Sequence, residues 1–167
     1  MYLPKASGLT WLPIALLIHS VITYISWIRF SSGTLSLVNS PLFACALQLN
    51  TIGKCNVAVG SYALRKNTTG CQNIAIGDAA LYGNTTGRFN TAIGGSALQT
   101  GTGGQSNTAI GYQAGRNISG NDNIVLGNEA GENITSGAGN VIIGSVNAGS
   151  ATGNRQLVIA GNDESTT

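Results

Sequence analysis

The sequence is poor in charged and aromatic side chains, proline and histidine. Of 167 residues, 8% are charged, 6% are aromatic, 3 are proline and 1 is histidine. The net charge of +2 leaves no basic stripe, so nucleic acid is not an expected partner. Three prolines among 24 glycines exclude collagen, which needs abundant proline and a glycine at every third position. An apolar content of 43% at this low net charge excludes a disordered chain.

The chain also lacks the residue sets that enzymes and metal sites use. His19 lies in an apolar N-terminal run, so the remaining sequence has no histidine to act as a general base beside a serine. The six acidic residues are scattered and do not form the alternating Asp pattern of calcium-binding loops. The glycine-rich stretch at 101–104 is not followed by the Lys and Ser or Thr of a phosphate-binding loop. We therefore predict no enzyme activity, no cofactor and no metal.

Residues 1–38 differ in composition from the rest of the chain. An apolar run at 9–28 has about the 20 residues needed to cross a bilayer, with Lys5 before it and Arg29 after it. The run predicts a hydrophobic N-terminal helix that serves as a membrane anchor. An export signal, a buried segment and a wrongly assigned start are the alternatives.

From residue 39 onward the sequence repeats every 16 or 17 residues. The repeats align on a polar residue that we number position 1: Asn39, Asn56, Asn73, Asn90, Asn107, Asn123, Asn140 and Gln156. A repeat of this length is typical of a solenoid, in which each unit forms one coil. We predict seven repeats and a partial one over 39–161, followed by a polar tail at 162–167.

Three further positions of the repeat predict the shape of each coil. Position 4 is a large aliphatic residue, which we expect to form the core: Val59, Ile76, Ile93, Ile110, Leu126 and Ile143. Position 3 is smaller in the early repeats and points to the opposite face of the same short strand. Position 5 is glycine, which suits the positive φ of a sharp corner: Gly60, Gly77, Gly94, Gly111, Gly127 and Gly144. A second turn signal, Asn-Thr-Thr-Gly or a variant of it, follows later in each repeat.

These features predict an all-β fold, a parallel β-solenoid with one coil of about 17 residues per repeat. Stacked coils bring equivalent residues together, so the Asn and Thr columns are expected to form ladders that satisfy one another's hydrogen bonds. A coil this small encloses few apolar side chains, and one face of its strand needs cover. Side-by-side association of identical chains would supply that cover, so we predict a homo-oligomer, a trimer in particular.

The units NTAIG, NIAIG and NVAVG, each followed by an Ala-rich step and a Gly turn, resemble the head repeats of trimeric autotransporter adhesins, the YadA-like heads. They are also similar to repeats in fibre proteins of bacteriophages and large viruses. The resemblance extends from Asn39 to about Gly161. It implies a left-handed β-roll of three intertwined chains, located at a cell surface or on a virion, that binds a protein or glycan of a host or matrix surface.

Two other functions remain open at this point. A structural spacer or tail-fibre segment would use the same rod without a ligand, and an ice-binding solenoid is suggested by the Thr column.

Cys45, Cys55 and Cys71 are expected to be reduced, with a Cys55–Cys71 pair as the alternative. Four glycosylation motifs fall in the second turn, at Asn67, Asn84, Asn117 and Asn133, where turn chemistry accounts for them without sugar.

Overall fold

A computed structural model describes residues 28–31, 34–37 and 45–160. The strands in these ranges are β1 (Ile28–Ser31), β2 (Thr34–Leu37), β3 (Val57–Val59), β4 (Ile74–Ile76), β5 (Thr91–Ile93), β6 (Thr108–Ile110), β7 (Ile124–Leu126), β8 (Val141–Ile143) and β9 (Leu157–Ile159). The strands β1 and β2 pair antiparallel, with Ile28 opposite Leu37. The other strands form a separate seven-stranded sheet.

The seven-stranded sheet is parallel and its strands follow one another in chain order. Val57 pairs with Ile74, 17 residues later, and Thr108 pairs with Ile124, 16 residues later. The prediction of an all-β parallel β-solenoid is confirmed, with about 17 residues per turn and about six turns. The strand predicted for the first repeat lies outside the described residues.

Hydrogen bonds between coils continue beyond the strands. On the far side of the coil, the backbone N–H of Leu64 donates to the carbonyl of Ala80 at 3.0 Å, and that of Thr68 donates to the carbonyl of Thr85 at 2.9 Å. Each coil is therefore fixed to the next on more than one side, which satisfies backbone groups that a three-residue strand alone would leave unpaired.

The six glycines at position 5 share one backbone conformation, with φ between 107° at Gly144 and 136° at Gly127. Side chains other than glycine rarely adopt this conformation. A second constraint is space, because a Cβ on Gly94 would collide with the backbone carbonyl of Gly111 in the next coil. The strand can end here and the chain can turn only because this position has no side chain.

The inner side of the sheet is formed by position 3, not by position 4. Ala75 is fully buried, whereas its neighbour Ile76 is 39% exposed. The position 3 residues that point inward are Ala58, Ala75, Ala92, Ala109, Val125 and Ile142. The prediction that position 4 forms the core is wrong for the single chain: Val59, Ile76, Ile110 and Ile143 are exposed, and Ile93 and Leu126 are half-buried. The inner space is filled from the opposite side of the coil, so only a small residue fits beneath most of the strands.

The large residue that fills each coil changes position along the rod. In the first half it is a leucine at position 9, namely Leu64, Leu81 or Leu98, and in the second half an isoleucine at position 12, Ile118 or Ile134. Where the isoleucine is present, position 9 is Gly115 or Gly131. A Cβ on Gly115 would lie only 2.6 Å from the Cδ1 atom of Ile118. The glycine at position 9 therefore makes room for the isoleucine at position 12.

The predicted N-terminal helix at 9–28 lies outside the described residues, except for Ile28, which begins β1. Within the described ranges, no helix has the length and apolar character needed to cross a membrane.

Candidate binding surfaces

The outward side of the parallel sheet is a continuous apolar surface, which we call the outer sheet face. It consists of positions 2 and 4 of every strand from β3 to β9. Position 2 contributes Val57, Ile74, Thr91, Thr108, Ile124, Val141 and Leu157, and position 4 contributes Val59, Ile76, Ile93, Ile110, Leu126, Ile143 and Ile159. Twelve of these fourteen side chains are aliphatic, and none carries a charge.

The outer sheet face is unusual for the surface of a single soluble chain. Ile110 is 42% exposed and Ile124 is 41% exposed, although both lie in the middle of the rod rather than at its end. Seven strands at about 4.8 Å spacing give a stripe roughly 30 Å long. Contiguous exposed apolar surface of this kind marks an interaction site.

The first column of asparagines is buried and forms a ladder through the rod. The Oδ1 atom of Asn56 accepts hydrogen bonds from the backbone N–H and the Nδ2 of Asn73, at 2.9 and 3.1 Å. The Nδ2 of Asn73 also donates to the carbonyl of Gly87 at 2.9 Å, which ties the start of the strand to the second turn. Equivalent bonds recur as far as Gln156, whose Nε2 donates to the Oδ1 of Asn140. This ladder is structural, and every buried side-chain nitrogen and oxygen in the described residues has a partner.

A second, shorter ladder occupies position 12. The Nδ2 of Asn67 donates to Asn50 Oδ1 at 2.7 Å, and the Nδ2 of Asn84 donates to Asn67 Oδ1 at 3.0 Å. Asn67 and Asn84 are the acceptors of two glycosylation motifs, and both are buried. In the folded chain their amides are therefore inaccessible to a glycosyltransferase. Asn117 and Asn133 are half-buried and donate to the carbonyls of Glu132 and Ala148.

The threonine column at position 13 also bonds from coil to coil. The hydroxyl of Thr51 donates to the carbonyl of Thr68 at 2.9 Å, and that of Thr85 donates to the carbonyl of Thr102 at 2.8 Å. Ser119 makes the same bond to Thr135. These hydroxyl protons bond within the stack, which gives the column a structural role.

Tyrosine and basic side chains meet on the surface of the first coils in a group that we call the Tyr-Arg cluster: Tyr62, Arg65, Lys66 and Tyr82. The two rings meet edge to face, with centroids 6.5 Å apart and an angle of 76° between their planes. The guanidinium carbon of Arg65 lies 5.5 Å from the centre of the Tyr62 ring and 5.9 Å from that of Tyr82. The Nζ of Lys66 lies 4.9 Å from the centre of the Tyr82 ring. Two positive charges are thus held against two aromatic rings.

Hydrogen bonds fix the Arg65 side chain within this cluster. Its Nε donates to Gln48 Oε1 at 2.8 Å and its Nη1 donates to the Tyr82 hydroxyl at 3.1 Å. Gln48, Arg65 and Tyr82 all occupy position 10, in three successive coils. These residue types differ from repeat to repeat, so the sequence alone does not predict the cluster. The signal that identifies them is their common position in the repeat.

Charged groups elsewhere on the described surface do not neutralise this cluster. One ion pair occurs in the described part of the chain, between Arg116 Nη1 and Glu132 Oε1 at 3.8 Å. No carboxylate of the described residues lies within 4.0 Å of a nitrogen of Arg65 or Lys66. Lys66 is exposed and Arg65 is half-buried, and no carboxylate of the described residues competes for their remaining N–H groups.

The cysteines and the acidic residues do not assemble into a site. Cys45, Cys55 and Cys71 are all free thiols. The Sγ of Cys71 accepts a hydrogen bond from the backbone N–H of Lys54 at 3.4 Å, so it is part of the contact between coils. Among residues 45–160, no three His, Cys, Asp or Glu side chains come together as metal ligands.

No protein family, curated protein or solved structure matches the chain.

Proposed function

We propose that this chain is a non-enzymatic rod module of a cell-surface or fibre protein, which assembles as a homotrimer and attaches to a host or matrix surface. The observation that carries the assembly is the outer sheet face, an aliphatic surface running the whole length of the rod and exposed in the single chain. Burying apolar surface stabilises association by about 25 cal/mol per Å² before the costs of association are counted.

The outer sheet face favours parallel association of identical chains over binding of an unrelated partner. Its two columns repeat with the period of the coil, so an identical chain presents side chains at the same spacing along its whole length. Closed rotational symmetry lets each chain cover its neighbour without leaving an apolar edge. The resemblance of the repeats to trimeric adhesin heads favours three chains and a left-handed coil.

The filled interior of the rod supports a role in attachment. The interior is filled by apolar side chains and by asparagines that bond to each other, which makes a stiff rod. Such a rod can present a binding surface at a distance from the membrane or virion that bears it. The N-terminal run at 9–28 would anchor it there or direct its export.

Native mass spectrometry of the full chain in a mild detergent tests the assembly. We expect a species with the mass of three 17.0 kDa chains. A monomer at micromolar concentration, or a dimer, would contradict the proposed trimer. Attachment is tested separately, by binding of the labelled full-length protein to immobilised extracellular-matrix proteins and to a glycan array. The absence of any selective binding would favour a structural spacer or tail-fibre segment.

A further inference from the structure

We propose that the Tyr-Arg cluster binds an anionic glycan, with the acidic group of one sugar held by Arg65 and Lys66 and the sugar ring packed on the exposed face of Tyr62. This inference rests on the proposed attachment function and assigns the ligand class and the residues that contact it.

The two cations of the cluster have no carboxylate partner among the described residues. Arg65 uses one N–H on Gln48 and one on Tyr82. A guanidinium has five N–H donors in a planar fork, so donors remain for a carboxylate or a sulfate. Lys66 is exposed, and its charged end lies against the Tyr82 ring rather than beside a carboxylate. Both cations thus face outward from adjacent positions of one coil.

The cluster is held in place before a ligand arrives. The Arg65 side chain is fixed by two hydrogen bonds and lies against two rings that contact each other edge to face. Ordering a long basic side chain costs conformational entropy on binding. Because Arg65 is already ordered in the free protein, less entropy is lost when a ligand binds. Free surface lysines such as Lys54 have no comparable support, so they are not expected to bind an anion selectively.

The exposed ring of Tyr62 indicates which kind of anion the cluster suits. Tyr62 is 42% exposed, and an exposed aromatic ring offers an apolar face beside two cations. A charged sugar matches both features, because its ring has an apolar face and its substituent carries the charge. A nucleic acid would need several more phosphate contacts than two side chains can make, since phosphate contacts supply most of its affinity. An acidic peptide would use the cations but has no ring to place on Tyr62.

The shared chemistry of the ligand is a carboxylate or sulfate on a pyranose ring, and the test separates the two sources. Binding of the full-length protein would be measured by surface plasmon resonance against heparin, which carries sulfate, and hyaluronan, which carries carboxylate alone. Dextran, poly-glutamate and single-stranded DNA serve as comparison ligands. We expect binding to at least one of the two anionic glycans and weaker binding to all three comparison ligands. Equal or tighter binding to poly-glutamate or DNA would overturn the assignment to a glycan.

The decisive comparison is between two double variants that each remove two positive charges, one inside the cluster and one outside it. The double variant R65Q/K66Q should weaken glycan binding about tenfold or more, because loss of each charge-assisted contact raises the dissociation constant several-fold. The control K54Q/R88Q removes two positive charges from exposed side chains at position 16, outside the cluster, and should change affinity less than about threefold. Equal losses in the two double variants would show that net charge alone governs binding.

Three single variants keep the test valid if R65Q/K66Q folds poorly. Lys66→Gln touches an exposed side chain and should weaken glycan binding without changing the melting temperature. Tyr62→Phe should retain binding and Tyr62→Ser should lose it, since only the ring is needed for packing on the sugar. If the wild-type protein attaches to matrix proteins but all these variants bind as well as it does, the inference about the cluster fails and the attachment function stands. If the wild-type protein attaches to nothing, both fail.

Discussion

Asn56 and Asn73 lie one above the other in adjacent coils, and the Oδ1 atom of Asn56 receives both N–H groups that Asn73 directs toward it. The same relationship joins Asn73 to Asn90 through the backbone N–H, and Asn90 to Asn107 through both donors. An asparagine is suited to this place because its side chain both accepts from the coil after it and donates within the stack. The ladder places a continuous column of hydrogen-bonded amides in the interior of the rod, beside the buried apolar side chains.

The ladder predicts a strong effect of exchanging one amide for a carboxylate. Asn90→Asp removes the donor to the carbonyl of Gly104, now 2.8 Å from Nδ2, and places a negative charge beside that carbonyl in a buried site. We expect the free energy of unfolding to fall by about 2 kcal/mol or more at neutral pH. Chemical denaturation followed by circular dichroism measures this loss.

The control for this exchange is Asn121→Asp. Asn121 is exposed and uses only its Oδ1, which accepts from the backbone N–H of Gln105, and a carboxylate can do the same. Burial raises the pKa of the carboxyl introduced at position 90, so its deficit relative to wild type should shrink as the pH falls through that raised pKa. A neutral acid can donate to Gly104 again. A deficit that grows on acidification would contradict the ladder geometry.

The corner glycines predict a contrast between two glycines that lie nine residues apart in the chain. Gly94 has a φ of 131° and no room for a Cβ, because the carbonyl of Gly111 lies against it. Gly94→Val should lower the free energy of unfolding by about 1–3 kcal/mol from backbone strain alone, with the collision in addition.

Gly103→Val is the matched control. Gly103 is exposed, has no positive φ, and a Cβ there would meet only the Oγ1 of Thr86 at 3.3 Å. Thermal melting of the two variants under identical conditions should separate them by several degrees. Equal melting temperatures would mean that the corner does not constrain the coil.

The outer sheet face predicts a change of assembly without a change of fold. Ile110→Lys places a charge in the middle of the apolar stripe, where Ile110 is 42% exposed in the single chain. We expect the trimer to dissociate and the melting temperature to depend less on protein concentration, since fewer contacts between chains remain. Sedimentation velocity reports the mass and far-ultraviolet circular dichroism reports the fold.

Ile52→Lys provides the comparison, because Ile52 is an isoleucine that is 64% exposed in the second turn, away from the outer sheet face. This variant should keep the mass of the wild-type protein. Dissociation by both variants to the same extent would indicate that the chains do not associate through the sheet.

The packing of the coil predicts that the leucine at position 9 is a main source of stability. Leu98 is 2% exposed, and Leu98→Ala should cost about 2–5 kcal/mol through the cavity it leaves. Leu157→Ala removes the same atoms from a side chain that is 69% exposed, and should cost far less. Denaturation midpoints of the two variants give the comparison, and equal costs would place the core elsewhere.

The sequence was sufficient to predict the period, the parallel sheet and the place where each strand ends, because these depend on spacing. It was not sufficient to predict which side of the strand faces inward. Alternation fixes only that Ala75 and Ile76 point in opposite directions. The outcome depends on how the coil is filled, and here the buried Leu81 occupies the interior together with the small, fully buried Ala75. The larger residue then faces outward, contrary to the usual expectation for isoleucine.

The Tyr-Arg cluster was beyond prediction for a different reason. Tyr62, Arg65 and Tyr82 occupy two positions of two repeats, and neither position has a consistent residue type. They come together because one coil stacks on the next. Their proximity can therefore be predicted only when the register between coils is known. Features common to every repeat were therefore accessible from the sequence, and features confined to one pair of repeats were not.

The uniform register between coils has a consequence for how such a chain can lengthen over evolution. In each coil the position 1 asparagine donates its backbone N–H to the Oδ1 of the coil before it, and its own Oδ1 accepts the same bond from the coil after it. A duplication or loss of one whole repeat therefore leaves both new neighbours correctly paired and changes only the reach of the rod, by about 4.8 Å. An insertion of one residue inside the strand would instead exchange the inner and outer sides of the residues that follow it. Unequal recombination in units of one repeat is thus the route by which this architecture can vary in length and still fold.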